Sequence, residues 1–90
     1  LLQMLNKDVR SRLLAFFYNL AMMEGYNGST ASFTFNNFLT HDDVAKLIGS
    51  ARQTVTTVIN QLEEEGLLKI TRKKISLPDT KKLRQLVMVT

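Results

Sequence analysis

Arg52, Gln53, Thr56, Thr57 and Asn60 are the residues of this chain best suited to chemistry, and the chemistry is hydrogen bonding rather than bond breaking. Guanidinium, amide and hydroxyl groups match the donors and acceptors that base pairs display in the major groove of duplex DNA. The same stretch carries Val55, Val58, Ile59 and Leu62 at helical spacing. The apolar set therefore turns inward and leaves the polar set on the outer face, near the N-terminal end of the helix. Ser50-Ala51-Arg52-Gln53 has the form of a capping box, which puts the first helical residue at Ala51. A polar face on a capped helix is often only solvated surface, so the weight falls on what precedes it.

Before it, Thr40-His41-Asp42-Asp43-Val44-Ala45-Lys46-Leu47-Ile48 spaces Val44, Leu47 and Ile48 along one face, and Gly49 supplies the residue that can turn left-handed. Ala45 is small where a second helix must approach. Two helices joined by so short a turn cross steeply, and the spacing predicts a helix-turn-helix over His41 to Glu63. Arg52, Gln53, Thr56 and Thr57 are then the candidates for base-edge readout. Thr40, Ser50, Asn60, Arg72 and Lys73 are the candidates for phosphate contacts, which position without reading sequence. Lys74 and His41 are further phosphate candidates, the alternative for His41 being an exposed first-turn histidine.

The elements that position these residues follow from periodicity. Leu1 to Leu5 repeats apolar residues as on one side of a helix already in progress, which suggests a piece of a longer protein. Asn6-Lys7-Asp8 offers a cap before a second run, in which Val9, Leu13, Phe16, Phe17 and Leu20 share a face up to Glu24-Gly25. A turn-rich linker with Asn27-Gly28 leads to Phe33-Thr34-Phe35, expected to be a strand that continues through a bulge to Leu39. Gly66 stops the second helix of the motif. Leu68 to Thr71 and Lys74 to Leu77 alternate as a hairpin, or wing, with Ile70, Ile75 and Leu77 on one face. Arg72-Lys73 lacks the glycine that two-residue loops favour, so the loop length and register stay open. After Pro78, Asp79 caps a last helix, Thr80 to Val87, with Leu83, Leu86 and Val87 inward and Lys81, Lys82 and Arg84 outward. The expected architecture is an α+β winged helix-turn-helix over residues 6–90, a three-helix core with a small antiparallel sheet.

Composition narrows the function classes. Ninety residues, 44% hydrophobic, suit one domain. There is no cysteine and one histidine, which leaves no disulfide framework and no ordinary histidine-based metal cage, and fits a reducing cytosolic compartment. The carboxylates cluster as Asp42-Asp43 and Glu63-Glu64-Glu65, and consecutive carboxylates on a helix diverge, so an enzyme is not expected. No apolar run reaches the roughly 20 residues a bilayer span needs, and no membrane partner is expected. Residues 1–66 carry net −2 and residues 67–90 net +6, which favours an anionic partner met through the C-terminal part. A winged helix can also serve as a protein-interaction module, but an acidic outer face on the second helix would then be expected, and none is found.

From Leu39 to Leu68 the sequence closely resembles the DNA-binding domain of the cyclic AMP receptor protein and fumarate-nitrate reduction regulator superfamily, most specifically at Ile48-Gly49-Ser50-Ala51-Arg52-Gln53-Thr54-Val55. Asp8-Val9-Arg10-Ser11-Arg12-Leu13-Leu14 resembles that superfamily's first helix after its hinge. Leu1 to Leu5 resembles the end of its long dimerisation helix. Arg10 to Leu13 and the Lys73-Lys74-Ile75 wing are most similar to the global nitrogen regulators of cyanobacteria and red-algal plastids. The resemblance implies a homodimeric transcription regulator on double-stranded promoter DNA, cytoplasmic in a bacterium or in a plastid stroma, with RNA polymerase as a further partner. It implies no cofactor in these residues; the effector, 2-oxoglutarate or alternatively a cyclic nucleotide such as cyclic AMP, would bind a preceding N-terminal domain. Arg52 matches the superfamily's base-contacting arginine. Gln53 and Thr57 depart from the glutamate or valine and the second arginine common there, which leaves the half-site sequence open.

Overall fold

A computed structural model describes the backbone of residues 2–89 and the side chains of residues 9–88. The elements run α1 (Leu2–Met23), β1 (Phe33–Asn36), α2 (His41–Ile48), α3 (Arg52–Glu64), β2 (Lys69–Ile70), β3 (Lys74–Leu77) and α4 (Thr80–Val89). This is the expected α+β winged helix-turn-helix, and the expected last helix is α4, packed against α1.

α1 is unbroken from Leu2, so Asn6-Lys7-Asp8 does not start a separate helix. A cap sequence inside a helix that continues on its N-terminal side has no orphan amides to satisfy. The apolar stripe expected over Leu1 to Leu5 lies outside the described side chains. From Val9 onward the predicted face is the one buried: Val9, Leu13 and Phe17 are enclosed, and Phe16 and Leu20 pack at the edge of the same cluster. α1 ends where the Tyr26 amide donates to the Ala21 carbonyl at 3.0 Å. Tyr26, which the sequence placed in a linker, is thereby drawn into the core, where its ring meets Tyr18 and Phe33 edge-on or tilted at 6.0 and 5.5 Å.

The sheet order is β1-β3-β2, all antiparallel, with Phe35 opposite Ile75 and Ile70 opposite Ile75 from the other side. Ile75 and Leu77 are buried and Ile70 packs against the core, which fixes the hairpin register the sequence left open. β1 ends at Asn36 without the predicted bulge. Asn37 Oδ1 accepts from the Leu39 amide at 2.8 Å, and this local turn takes the chain out of the sheet.

The core sits where α1, α2, α3 and the inner face of the sheet meet. Val55, Val58, Ile59 and Leu62 of α3 are all buried, as predicted, and each contributes about 1.5–3 kcal/mol through burial. α2 buries Val44 and Ala45 and half-buries Ile48, but Leu47 is 63% exposed against expectation. An eight-residue helix packed through Val44, Ala45 and Ile48 leaves position 47 on the flank of its buried face.

Candidate nucleic-acid interface

The turn between the two motif helices is built by Gly49. At φ 73° it lets the Ser50 amide donate back to the Ala45 carbonyl at 2.9 Å, closing α2. This use of Ser50 corrects the sequence reading. Its backbone belongs to the closure of α2, the N-cap of α3 falls on Ala51, and no side chain caps α3. The capping box lies instead on α2: Thr40 Oγ1 accepts from the Asp43 amide at 3.0 Å, and Asp43 Oδ2 accepts from the Thr40 amide at 2.9 Å. Hydrogen bonding from Thr40, its backbone amide first and then its hydroxyl, holds the Asp43 carboxyl below its ordinary range.

α3 begins at Arg52, with no acidic residue in its first turn. Arg52, Gln53, Thr57 and Asn60 are exposed along its outer side. The Thr57 hydroxyl donates to the Gln53 carbonyl at 3.0 Å, so its lone pairs point away from the helix. Thr56 is placed differently from its neighbours. It is half-buried and shares a 2.9 Å hydrogen bond with His41 Nδ1, so the hydroxyl predicted to meet a base is partnered across the two helices. His41 is likewise half-buried, where an exposed residue was the alternative.

The wing stands beside the start of α2. Thr40, His41 and Arg72 line one recess of about 260 Å³, together with Asn37, Leu39 and Thr71. Two of the predicted phosphate residues, Thr40 and Arg72, thus come together although 32 positions apart. Asn37 holds the wing tip in place: its amide donates to the Lys73 carbonyl and its Nδ2 to the Thr71 carbonyl, both at 2.8 Å. The glycine-free turn closes through Thr71, whose amide donates to the Lys74 carbonyl at 2.8 Å while its hydroxyl accepts from the Lys74 amide at 3.0 Å. No non-glycine residue adopts positive φ among the described residues, so the primed turns are not used. Arg72 and Lys73 project as exposed cations, whereas Lys74 Nζ donates to Asn36 Oδ1 at 2.8 Å. Ser50 is half-buried at the other end of α2, and Asn60 lies two turns along α3 from Arg52.

Residues missed by the sequence reading orient α3. Arg10 of α1 donates twice to Glu65 at 2.6 and 2.7 Å, which raises the guanidinium pKa and holds the Glu65 carboxyl below its ordinary value. Glu63 accepts from the Ile70 amide at 3.1 Å and so anchors the wing's first strand. The acidic run is structural: two of its three carboxylates tie the C-terminal end of α3 to α1 and β2. Arg12 donates to the Ile48 carbonyl at 3.2 Å at the end of α2. Residues 55 and 36 positions apart carry no local signal of such pairing.

The Crp-like helix-turn-helix domain family matches residues 11–86. Among curated relatives, the transcriptional regulator SdrP of Thermus thermophilus is 47% identical over 47 residues, 52% of this chain and 23% of that protein. The global nitrogen regulator of a Synechocystis strain is 32% identical over 80 residues, 89% of this chain and 35% of its own length. The chain therefore spans about a third or less of these two relatives. Oxidised CprK in complex with o-chlorophenolacetic acid superposes at a TM-score of 0.79 with 23% identity, over 98% of this chain and 37% of CprK, a likeness of fold. The CO-dependent transcription factor CooA from Carboxydothermus hydrogenoformans superposes at 0.73 with 26% identity, over 96% of this chain and 41% of CooA. With the family match running from α1 to α4, the chain belongs to the Crp-like helix-turn-helix domain family.

Proposed function

We propose that this chain is the DNA-binding domain of a transcription regulator, with α3 in the major groove and the wing on the flanking backbone. The observation that carries the reading is the arrangement of Arg52, Gln53, Thr57 and Asn60 along the open face of α3, with the exposed cations Arg72 and Lys73 on a wing whose recess is shared with Thr40 and His41 at the start of α2. Arg52 supplies a fork for a guanine edge, and Gln53 an amide for adenine. Thr57 and Asn60 complete the face, and Thr56 acts chiefly by fixing His41. Thr40, Arg72 and Lys73 take phosphates, with Thr40 and Arg72 sharing one recess and Ser50 at the head of α3.

The working unit is a homodimer on a two-fold half-site pair, with residues 1–5 as the end of its dimerisation helix, RNA polymerase as the further partner, and a bacterial cytoplasm as its place. Both curated relatives are transcription regulators, CprK is seen in complex with o-chlorophenolacetic acid and CooA is CO-dependent, which supports an effector-binding domain ahead of this one. The nitrogen-control type is supported by the Synechocystis relative, a global nitrogen regulator, and 2-oxoglutarate is the effector proposed for that type. Selection of duplexes from a random pool by the chain fused to a dimerising helix tests the reading. Enrichment of a two-fold symmetric motif is expected, and recovery of unenriched sequence would overturn it.

A further inference from the structure

The three cations of α4 are not needed by the interface described above. Lys81, Arg84, Gln85 and Met88 form one stripe on its solvent side and line an open recess of about 400 Å³. Arg84 and Met88 also wall a second recess, of about 360 Å³, whose other side is Tyr18 and Met22 of α1 together with Tyr26. Arg84 and Lys81 border a third with Thr30 and Ala31. All three share Arg84 and together make a groove along α4, bordered on its other side by α1 and by the segment Tyr26 to Ala31, and no acidic residue lines any of them.

The groove is both apolar and cationic. Met22 and Met88 are 51% and 68% exposed, over a floor of edge-to-face tyrosine rings. Arg10 and Lys46 are each paired with a carboxylate, but Lys81 and Arg84 form no such pair among the described residues.

We propose that this groove docks a segment of a partner protein in which acidic residues alternate with bulky apolar ones. Its charge complements Lys81 and Arg84, and its apolar side chains cover Met22 and Met88, whose unbranched thioethers adapt to irregular partners. A nucleic-acid backbone would meet the cations and leave the methionines wet. A neutral apolar segment would desolvate Lys81 and Arg84 without pairing them. None of the base-reading or wing residues lines the groove, so a partner can dock while DNA is bound.

Titration of the isotopically labelled chain with a synthetic peptide alternating glutamate and leucine, followed by amide and methionine-methyl NMR, tests the assignment. Saturable shifts confined to Tyr18, Met22, Tyr26, Arg84 and Met88 are expected, about tenfold weaker with a peptide in which serine replaces leucine, and about tenfold weaker for Arg84→Glu. Arg84 is exposed, so that variant keeps its fold, which its unchanged core signals verify. Equal binding of the serine peptide, equal shifts at Arg72 and Lys73, or no saturation would overturn the proposal. So would duplex DNA moving the α4 signals, which would make the stripe a backbone contact. A chain that binds the peptide but no duplex sinks the DNA reading and leaves this one standing.

Discussion

Arg52 is exposed at the head of α3, and its fork matches a guanine edge, which makes it the residue proposed to carry most of the specificity. Arg52→Ala is expected to cost about 1–3 kcal/mol on a selected site and to relax preference at one base pair, read from competition binding against duplexes varied singly. Glu65 shows how a residue outside the interface supports it. Arg10 holds its carboxyl below the ordinary value of 4.5, so the stabilisation is complete above that value and is lost as pH falls through the lowered one. Its side chain is 40% exposed, which limits the effect to less than about 1 kcal/mol. Urea denaturation of Glu65→Gln should show a small loss at pH 7 that shrinks as pH falls below the ordinary carboxylate range; a loss that does not change with pH would remove the ion pair as its cause.

Gly49 sets the crossing of α2 and α3. At φ 73° with nothing within 4 Å of an added Cβ, Gly49→Ala meets only backbone strain, expected at about 1–2 kcal/mol and seen as a lower Tm with unchanged spectra. At this scale much of the fold is legible in the sequence, and the reason is local. Gly49 and Gly66 mark helix ends by a conformation that other residues resist, and Val55, Val58, Ile59 and Leu62 mark a face by period alone. The misreadings come from non-local competition. Ser50 fits a capping box by spacing, but its amide is claimed by the close of α2. Leu47 fits an apolar face, but the short helix buries Val44 and Ala45 and half-buries Ile48 instead. Thr56 looks like its neighbours in sequence, and only the approach of His41 sets it apart. The glycine-free wing needed Thr71 and Asn37 to close it, bonds that no turn rule anticipates.

For the molecule as a whole, charge is divided between the part proposed to read bases and the part proposed to anchor on phosphates. Net +6 lies in residues 67–90 against −2 before them, and Glu63 and Glu65 are turned to internal partners at the far end of α3 from Arg52. A single copy offers one half-site's contacts, so the chain alone should bind a full site far more weakly than a copy joined to a dimerising helix, as band-shift titrations of the two would show. A salt titration separates the base reading proposed for α3 from the phosphate contacts proposed for the wing. Wild type, Arg52→Ala and Lys73→Gln are each measured on a selected and a scrambled duplex. Lys73→Gln should weaken both duplexes alike and flatten the slope of log K against log salt by about 0.9, while Arg52→Ala loses the preference for the selected duplex. Identical slopes for wild type and Lys73→Gln, with preference intact in Arg52→Ala, would contradict both proposals.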